Sequence, residues 1–131
     1  MKTRELIRVS TAEAGNFTAN VSDYDHILIH VLATDNPNAT LKVRGGVCME
    51  SPQFDEAVTK DNLHAGVAIV DLTTGGVVTG DTGIEIEEDM SAMYEVNTNH
   101  MTWLDVAVED VTSGEVTVVL VAKQSAQHGK N

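Results

Sequence analysis

His26 and His30 stand four residues apart, the spacing at which a helix would turn both imidazoles toward one zinc ion. The segment that carries them, Asp25-His26-Ile27-Leu28-Ile29-His30-Val31-Leu32-Ala33, reads instead as a strand, and it lacks the Glu of an H-E-x-x-H motif. On a strand both rings share a face but lie about 13 Å apart, too far to chelate one ion. They are expected to be solvent-side or interface histidines. Glu85, Glu87, Glu88 and Asp89, with Asp71 and Asp81 from neighbouring turns, could collect a hard cation through carboxylate oxygens. Their spacing matches no EF-hand loop and specifies no cage, so a solvated acidic loop is the plainer reading. The same reading is given to Asp105, Glu109 and Asp110.

Carboxylates are plentiful enough to imagine a glycosidase pair, but such a pair must be held at a set separation in a cleft. A chain with 4% aromatics has little with which to line a sugar cleft. G-x-S-x-G, G-x-x-x-x-G-K-[ST] and G-x-G-x-x-G are all absent, and the glycine pairs read as turn residues. The single Cys48 excludes an internal disulfide and any multi-cysteine metal site, and is expected to be a small buried apolar residue. Asn16-Phe17-Thr18, Asn20-Val21-Ser22 and Asn38-Ala39-Thr40 match the glycosylation sequon, as chance occurrences in an Asn- and Thr-rich chain. No catalysis, cofactor or metal is expected.

The elements that must position these residues are strands. Hydrophobic residues make up 42% of the 131, enough for one domain with one core. With so few aromatics, that core must rest on Val, Ile, Leu and Ala, which suits a pleated sheet. In Thr102 to Glu109, Leu104, Val106 and Val108 face one way, while Trp103, Asp105, Ala107 and Glu109 face the other. Glu115 to Lys123 alternates similarly after Thr112-Ser113-Gly114, so the two segments are expected to pair as an antiparallel hairpin. Asp25 to Ala33 is expected to turn through Thr34 to Ala39 into Thr40 to Arg44. Further strands are expected at Glu5 to Val9, Gly66 to Leu72, Gly76 to Thr79, Gly83 to Ile86 and Met93 to Val96. Ser51 to His64 reads as an irregular loop or one helical turn, and Gln124 to Asn131 as a loose polar tail. About eight or nine short strands indicate an all-β, single-domain antiparallel sandwich or barrel over residues 1–123.

Twenty acidic against eight basic residues give a net charge of −12, which repels phosphate backbones and anionic membranes. Such a surface suits solubility, a positively charged partner or a high-salt medium. No apolar run reaches the roughly 18–20 residues that cross a bilayer. Met1-Lys2-Thr3-Arg4-Glu5 leads into an alternating run and not into a signal peptide. The expectation is a protein made in the cytoplasm that reaches the outside by assembly into something released.

From Ala39-Thr40-Leu41-Lys42-Val43-Arg44-Gly45 onward, the order of elements resembles a known group. A variable loop leads to Val67-Ala68-Ile69-Val70-Asp71-Leu72, then Met93-Tyr94-Glu95-Val96-Asn97, Trp103 to Val108, and Thr112-Ser113-Gly114-Glu115-Val116-Thr117-Val118. Over residues 39–123 this resembles the small jelly-roll proteins of tailed-phage virions. It departs from them at Asp105, where Arg is common, and at Val67, where an aromatic is common. The resemblance implies a jelly-roll-like sandwich acting as a capsid cement or decoration protein, a homotrimer that binds the major capsid protein on the virion surface. Met1 to Val9 is then an arm or the first strand. The expected partner contacts are Trp103, Tyr94 and the Gln53-Phe54 loop. The alternative is a carbohydrate- or receptor-binding β-sandwich on a tail or host-facing surface, which the scarcity of aromatic platforms disfavours.

Overall fold

The computed structural model describes residues 2–124, and every regular element in it is a strand. In chain order these are β1 (Lys2–Thr11), β2 (Gly15–Asn20), β3 (His26–Gly46), β4 (Ala65–Gly66), β5 (Ala68–Asp71), β6 (Val77–Thr79), β7 (Ile84–Ile86), β8 (Met90–Asn97) and β9 (Trp103–Gln124). The expected all-β, single-core architecture is what the chain adopts. Of the residues expected to form an N-terminal arm or first strand, Lys2 to Val9 belong to the strand β1, and Met1 lies outside the described residues. Gln124 closes β9, and the remainder of the expected tail, residues 125–131, lies outside the described residues.

Two expected turns prove to be bends within single strands. β3 runs 21 residues and β9 runs 22, and they pair with each other antiparallel along almost their whole length, from Ile27↔Ala122 to Gly46↔Trp103. The two halves of β9 therefore do not form the hairpin that Thr112-Ser113-Gly114 suggested. Both halves pair with β3 instead. The turn-forming residues of the two strands lie opposite each other. Residues 35–37 of β3 are extra against Gly114, and residues 110–112 of β9 are extra against Ala39. Asp35, Asn36, Asp110 and Gly114 take left-handed φ values of 64°, 55°, 52° and 78°. Asx and Gly tolerate that region best. The Ser113 hydroxyl ties the bulges together by donating to the Asn36 carbonyl at 2.7 Å. Each turn signal thus became half of one coordinated kink, because a bulge sharpens twist without ending the ladder.

The kink folds this ribbon over and creates two halves. In one, the strand order is β1-β9-β3-β8, with β5 and β6 extending it beyond β8. In the other it is β2-β9-β3-β7, with β4 also on β3. That is the strand order of a jelly roll, two sheets each sharing one arm of each long strand. The same face of each strand stays inward on both sides of the bend. Ile27, Ile29, Val31 and Ala33 of β3 join Leu41 and Val43, and Leu104, Val106 and Val108 of β9 join Val116, Val118, Leu120 and Ala122, in one buried cluster. Each such Val, Leu or Ile side chain taken from water contributes about 1.5–3 kcal/mol.

β2 was not anticipated. Its residues entered the sequence reading only as two sequons, and its pairing with β9 defines it. A Cβ on Gly114 would stand 2.7 Å from the Thr34 carbonyl oxygen and against Pro37. At Gly75, also left-handed, nothing lies within 4 Å. Gly75→Ala should therefore lose about 1 kcal/mol, from backbone strain alone. Gly114→Ala should lose more than about 2 kcal/mol, since strain and collision add at the bend. Urea denaturation of both variants checks this, and equal losses would remove the bend from its central place.

Candidate functional site

The outer face of the β2-β9-β3-β7 sheet carries a row of polar side chains that register places side by side. Thr18 pairs with Asp105 and Asp105 with Arg44, while Asn16 pairs with Ala107 and Ala107 with Lys42. The alternation read from the sequence put Asp105 on this face correctly, but the expected solvated loop is overturned, since Asp105 lies within β9. Asp105 is 0% exposed. What covers it is the chain between β3 and β4, residues 47–64, which returns across the sheet. Sequence reading left Ser51 to His64 of this stretch as an irregular loop or a helical turn, and the loop is what forms.

The loop is tied to the sheet through Trp103 and braced by contacts within itself. Trp103 Nε1 donates to the Cys48 carbonyl at 3.0 Å. Asn62 accepts from the Gln53 amide at 2.8 Å and donates to the Gln53 and Ala57 carbonyls at 3.1 and 3.0 Å, bracing the loop from within. Phe54 is buried outside the main core, with its ring centroid 5.1 Å from that of the buried His64. His64 Nε2 lies 3.2 Å from the Glu56 carbonyl oxygen. A carbonyl only accepts, so Nε2 carries the hydrogen and Nδ1 is left as an acceptor when the ring is neutral.

Under this cover the polar groups are unevenly satisfied. Asp105 Oδ1 accepts from Thr18 Oγ1 at 2.7 Å and from Asn16 Nδ2 at 3.1 Å. Asp105 Oδ2, Arg44 Nε and His64 Nδ1 are buried without a hydrogen-bond partner. Arg44 Nη2 and Lys42 Nζ both reach Glu109, each at 3.3 Å, which neutralises much of the local positive charge. Beside the cluster opens a cavity of about 360 Å³ lined by Asn16, Arg44, Asp55, Ala107 and Glu109 among others. Burial raises the Asp105 pKa above the ordinary aspartate range. The hydrogen bonds from Thr18 and Asn16 and the charges of Arg44 and His64 pull the other way without cancelling it.

The expected contact residues are scattered by the structure. Tyr94 (5% exposed) and Phe54 (1%) are buried and offer a partner little surface as folded, because each fills space beneath a neighbouring element. Burial also pushes the Tyr94 hydroxyl pKa up, with the Asp71 carboxylate adding to it. Trp103 is half-buried with its indole N–H engaged, and Gln53 is exposed. The apolar surface this loop presents comes from other residues, namely Val47, Met49, Val58 and Leu63, with Met49 95% exposed. Cys48 is half-buried and free, its thiol 3.8 Å from the Leu63 carbonyl.

Of the expected acidic group, Asp71, Glu85, Glu87 and Glu88 line one open cleft. Asp89 instead accepts from the Asn36 amide at the bend, at 3.1 Å, and Asp81 stands against Gly66. Among the described residues no group of three or more His, Cys, Asp or Glu could hold a metal ion. His26 and His30 do share an exposed face, the first 3.8 Å from Glu95 and the second 3.0 Å from the Ser91 hydroxyl. Asn16, Thr18, Arg44 and His64 were missed as a group. The available signal was a lone Asp amid Leu, Val and Ala in a strand that needed donors from somewhere.

A raised pKa means that the fold binds the Asp105 proton more tightly than the unfolded chain does. The stability this contributes is full below the ordinary aspartate range and is lost as pH rises through the folded value. Asp105→Asn should therefore be at least as stable as the wild type at pH 8, by urea denaturation, with its relative advantage shrinking toward pH 4. Asp105→Ala should fall about 1–3 kcal/mol below Asp105→Asn, because it strands the Thr18 and Asn16 donors. An Asn variant weaker than the wild type at pH 8 would contradict the sign.

No protein-family model matches the sequence, and no curated protein matches it. The fold, in contrast, has a counterpart. The chain is similar to the crystal structure of SPBc2 prophage-derived protein YomS, with a TM-score of 0.65 over 92% of this chain and 90% of that one. At 8% identity the likeness is one of fold, and nearly the whole of both chains follows the same all-β path.

Proposed function

We propose that this chain is a structural component of a phage virion, a decoration protein that binds the outer capsid surface and stabilises it. The observation that carries the reading is the end-to-end match of its fold to a prophage-derived protein. The jelly-roll strand order agrees with the family that the sequence resembles. The reading assigns the chain no catalytic step. It would act by burying surface across joints between shell subunits, as a homotrimer whose partner is the major capsid protein.

The 47–64 loop supplies the kind of surface such contact needs. Val47, Met49 and Leu63 expose apolar side chains on it, and Glu50, Asp55, Glu56 and Asp61 of the same loop are exposed as well. An apolar centre with a charged rim is the usual anatomy of a protein contact, and the rim governs its salt dependence. Gln53 stands exposed on the same loop, as the expected contacts require of it.

The test is the solution mass by light scattering, followed by sedimentation with undecorated phage capsids. A trimer that pellets with the shells, with Met49→Glu weakening recovery at least about tenfold, supports the reading. A monomer that stays in the supernatant overturns it and turns attention to a glycan- or receptor-binding module, for which a glycan array is the next measurement.

A further inference from the structure

The open cleft at the edge of the core, about 690 Å³ in volume, has an apolar floor and an acidic rim. Met90, Ala92 and Tyr94 of β8 line it, and all three belong to the hydrophobic core or pack against it. Asp71 pairs with Tyr94 across β5 and β8, so the two side chains leave the sheet on the same side. Glu87 and Glu88, from the connection between β7 and β8, line the same cleft. Tyr94 is 5% exposed and offers a partner little area, yet its hydroxyl has no hydrogen-bond partner among the described residues. Nor is that hydroxyl one of the polar atoms sealed from solvent, so it opens into the cleft. Asp71, Glu87 and Glu88 form no ion pair with Lys, Arg or His among the described residues. Glu85 differs, since its carboxylate accepts from the Thr40 hydroxyl at 3.3 Å.

We propose that this cleft receives a lysine side chain from a partner protein, its ammonium held by Asp71, the Tyr94 hydroxyl and a rim glutamate. An ammonium carries three N–H donors and no acceptor, which matches the open acceptors here. Its aliphatic stem would lie along Met90 and Ala92, apolar against apolar, while the charge stays at the rim. Arginine fits less well. Asp71 Oδ1 already accepts from the Thr73 amide at 2.8 Å and the Thr74 amide at 3.4 Å. Only Oδ2 remains, so a guanidinium loses the two-oxygen fork that favours it, whereas a compact ammonium loses nothing. A metal ion is not the occupant, since among the described residues no group of three or more His, Cys, Asp or Glu could hold one.

The openness of the cleft favours a tethered ligand over a free one. Thr73, Thr74, Glu87 and Glu88 are exposed around it, so the far end of the stem emerges into solvent. A free amine would leave that end in water, whereas a lysine continues there into main chain that can lie on the rim. The net charge of −12 draws basic partners in general. The cleft turns that attraction into the choice of one side chain. This assignment rests on the cleft alone and not on a place in a virion.

Amide NMR shifts of the full chain, titrated with Nα-acetyl-lysine N-methylamide at neutral pH and fixed ionic strength, test this. Amides of Asp71, Thr73, Thr74 and Tyr94 should move saturably, while those of the exposed Asp55 and Asp61 on the 47–64 loop should not. The same probe acetylated on Nε should move none of them, and the arginine analogue should bind roughly threefold more weakly or worse. Asp71→Asn keeps an oxygen for the Thr73 and Thr74 amides but loses the charge, and should weaken binding about tenfold. Tyr94→Phe keeps the ring and should weaken it about threefold. Shifts shared by every acidic stretch, an arginine probe bound as tightly, or affinity unchanged in both variants overturns the assignment. Cadaverine bound more than about tenfold tighter than the lysine probe overturns it in favour of a free diamine. No capsid enters the titration, so it and the sedimentation test fail separately.

Discussion

The continuous antiparallel ladder between β3 and β9 is the constraint on which the rest of the molecule depends. Every other sheet neighbour except β6, the edge strand, is attached to one of these two strands or to β8, which is itself attached to β3. The ladder must bend to bury its own inner face, and a bend in two paired strands requires that both yield at the same place. The Asp35-Asn36-Pro37 and Asp110 to Gly114 segments meet this demand together, with opposed bulges and a single hydroxyl bond between them. Because both strands keep the same face inward through the kink, one hydrophobic pattern serves both halves of the sandwich.

With the inner faces closed, differences between the two outer faces become the source of specific chemistry. On the β1-β9-β3-β8 half the outer face is open, and residues such as His30, Leu32 and Met93 are exposed there. On the other half a second thin layer forms, since the 47–64 chain folds back across Arg44, Asp105 and Ala107. That layer is fastened mainly through main-chain carbonyls and a few side chains. It buries a carboxylate, which would be an odd choice for stability alone, since a partly satisfied polar cluster is worse than an apolar one.

Much of this was legible in the sequence. The period-2 pattern located most of the strands and assigned inward and outward faces correctly for Leu104, Val106 and Val108, and equally for Asp105. The turn chemistry at Thr34 to Ala39 and Thr112 to Gly114 was also located correctly. What local reading could not supply was the relation between distant segments. A turn signal implies a reversal only if the flanking strands pair with each other, and here each pairs more favourably with a strand roughly 60 to 95 residues away. The burial of Asp105 failed for the same reason. Its donors come from β2, a polar strand recognisable only through its partner, and its cover comes from a loop without periodicity. Tyr94 and Phe54 were expected at a partner contact, yet both side chains are buried, which the local pattern around them did not reveal.

The reach of the β3–β9 ladder also governs how the molecule is made. Ile27 meets Ala122, and β1 and β2 likewise find their neighbours only in β9. Neither half of the sandwich can close until β9 has left the ribosome. Long loops must be closed before any pairing repays them, so folding is slow and its topology dominated by distant contacts. During that interval β1, β2 and β3 wait with unpaired edges, and β3 carries the apolar run Ile27 to Ala33. Net charge of −12 then has a second use, since mutual repulsion keeps unfinished chains apart while the last strand is still being synthesised.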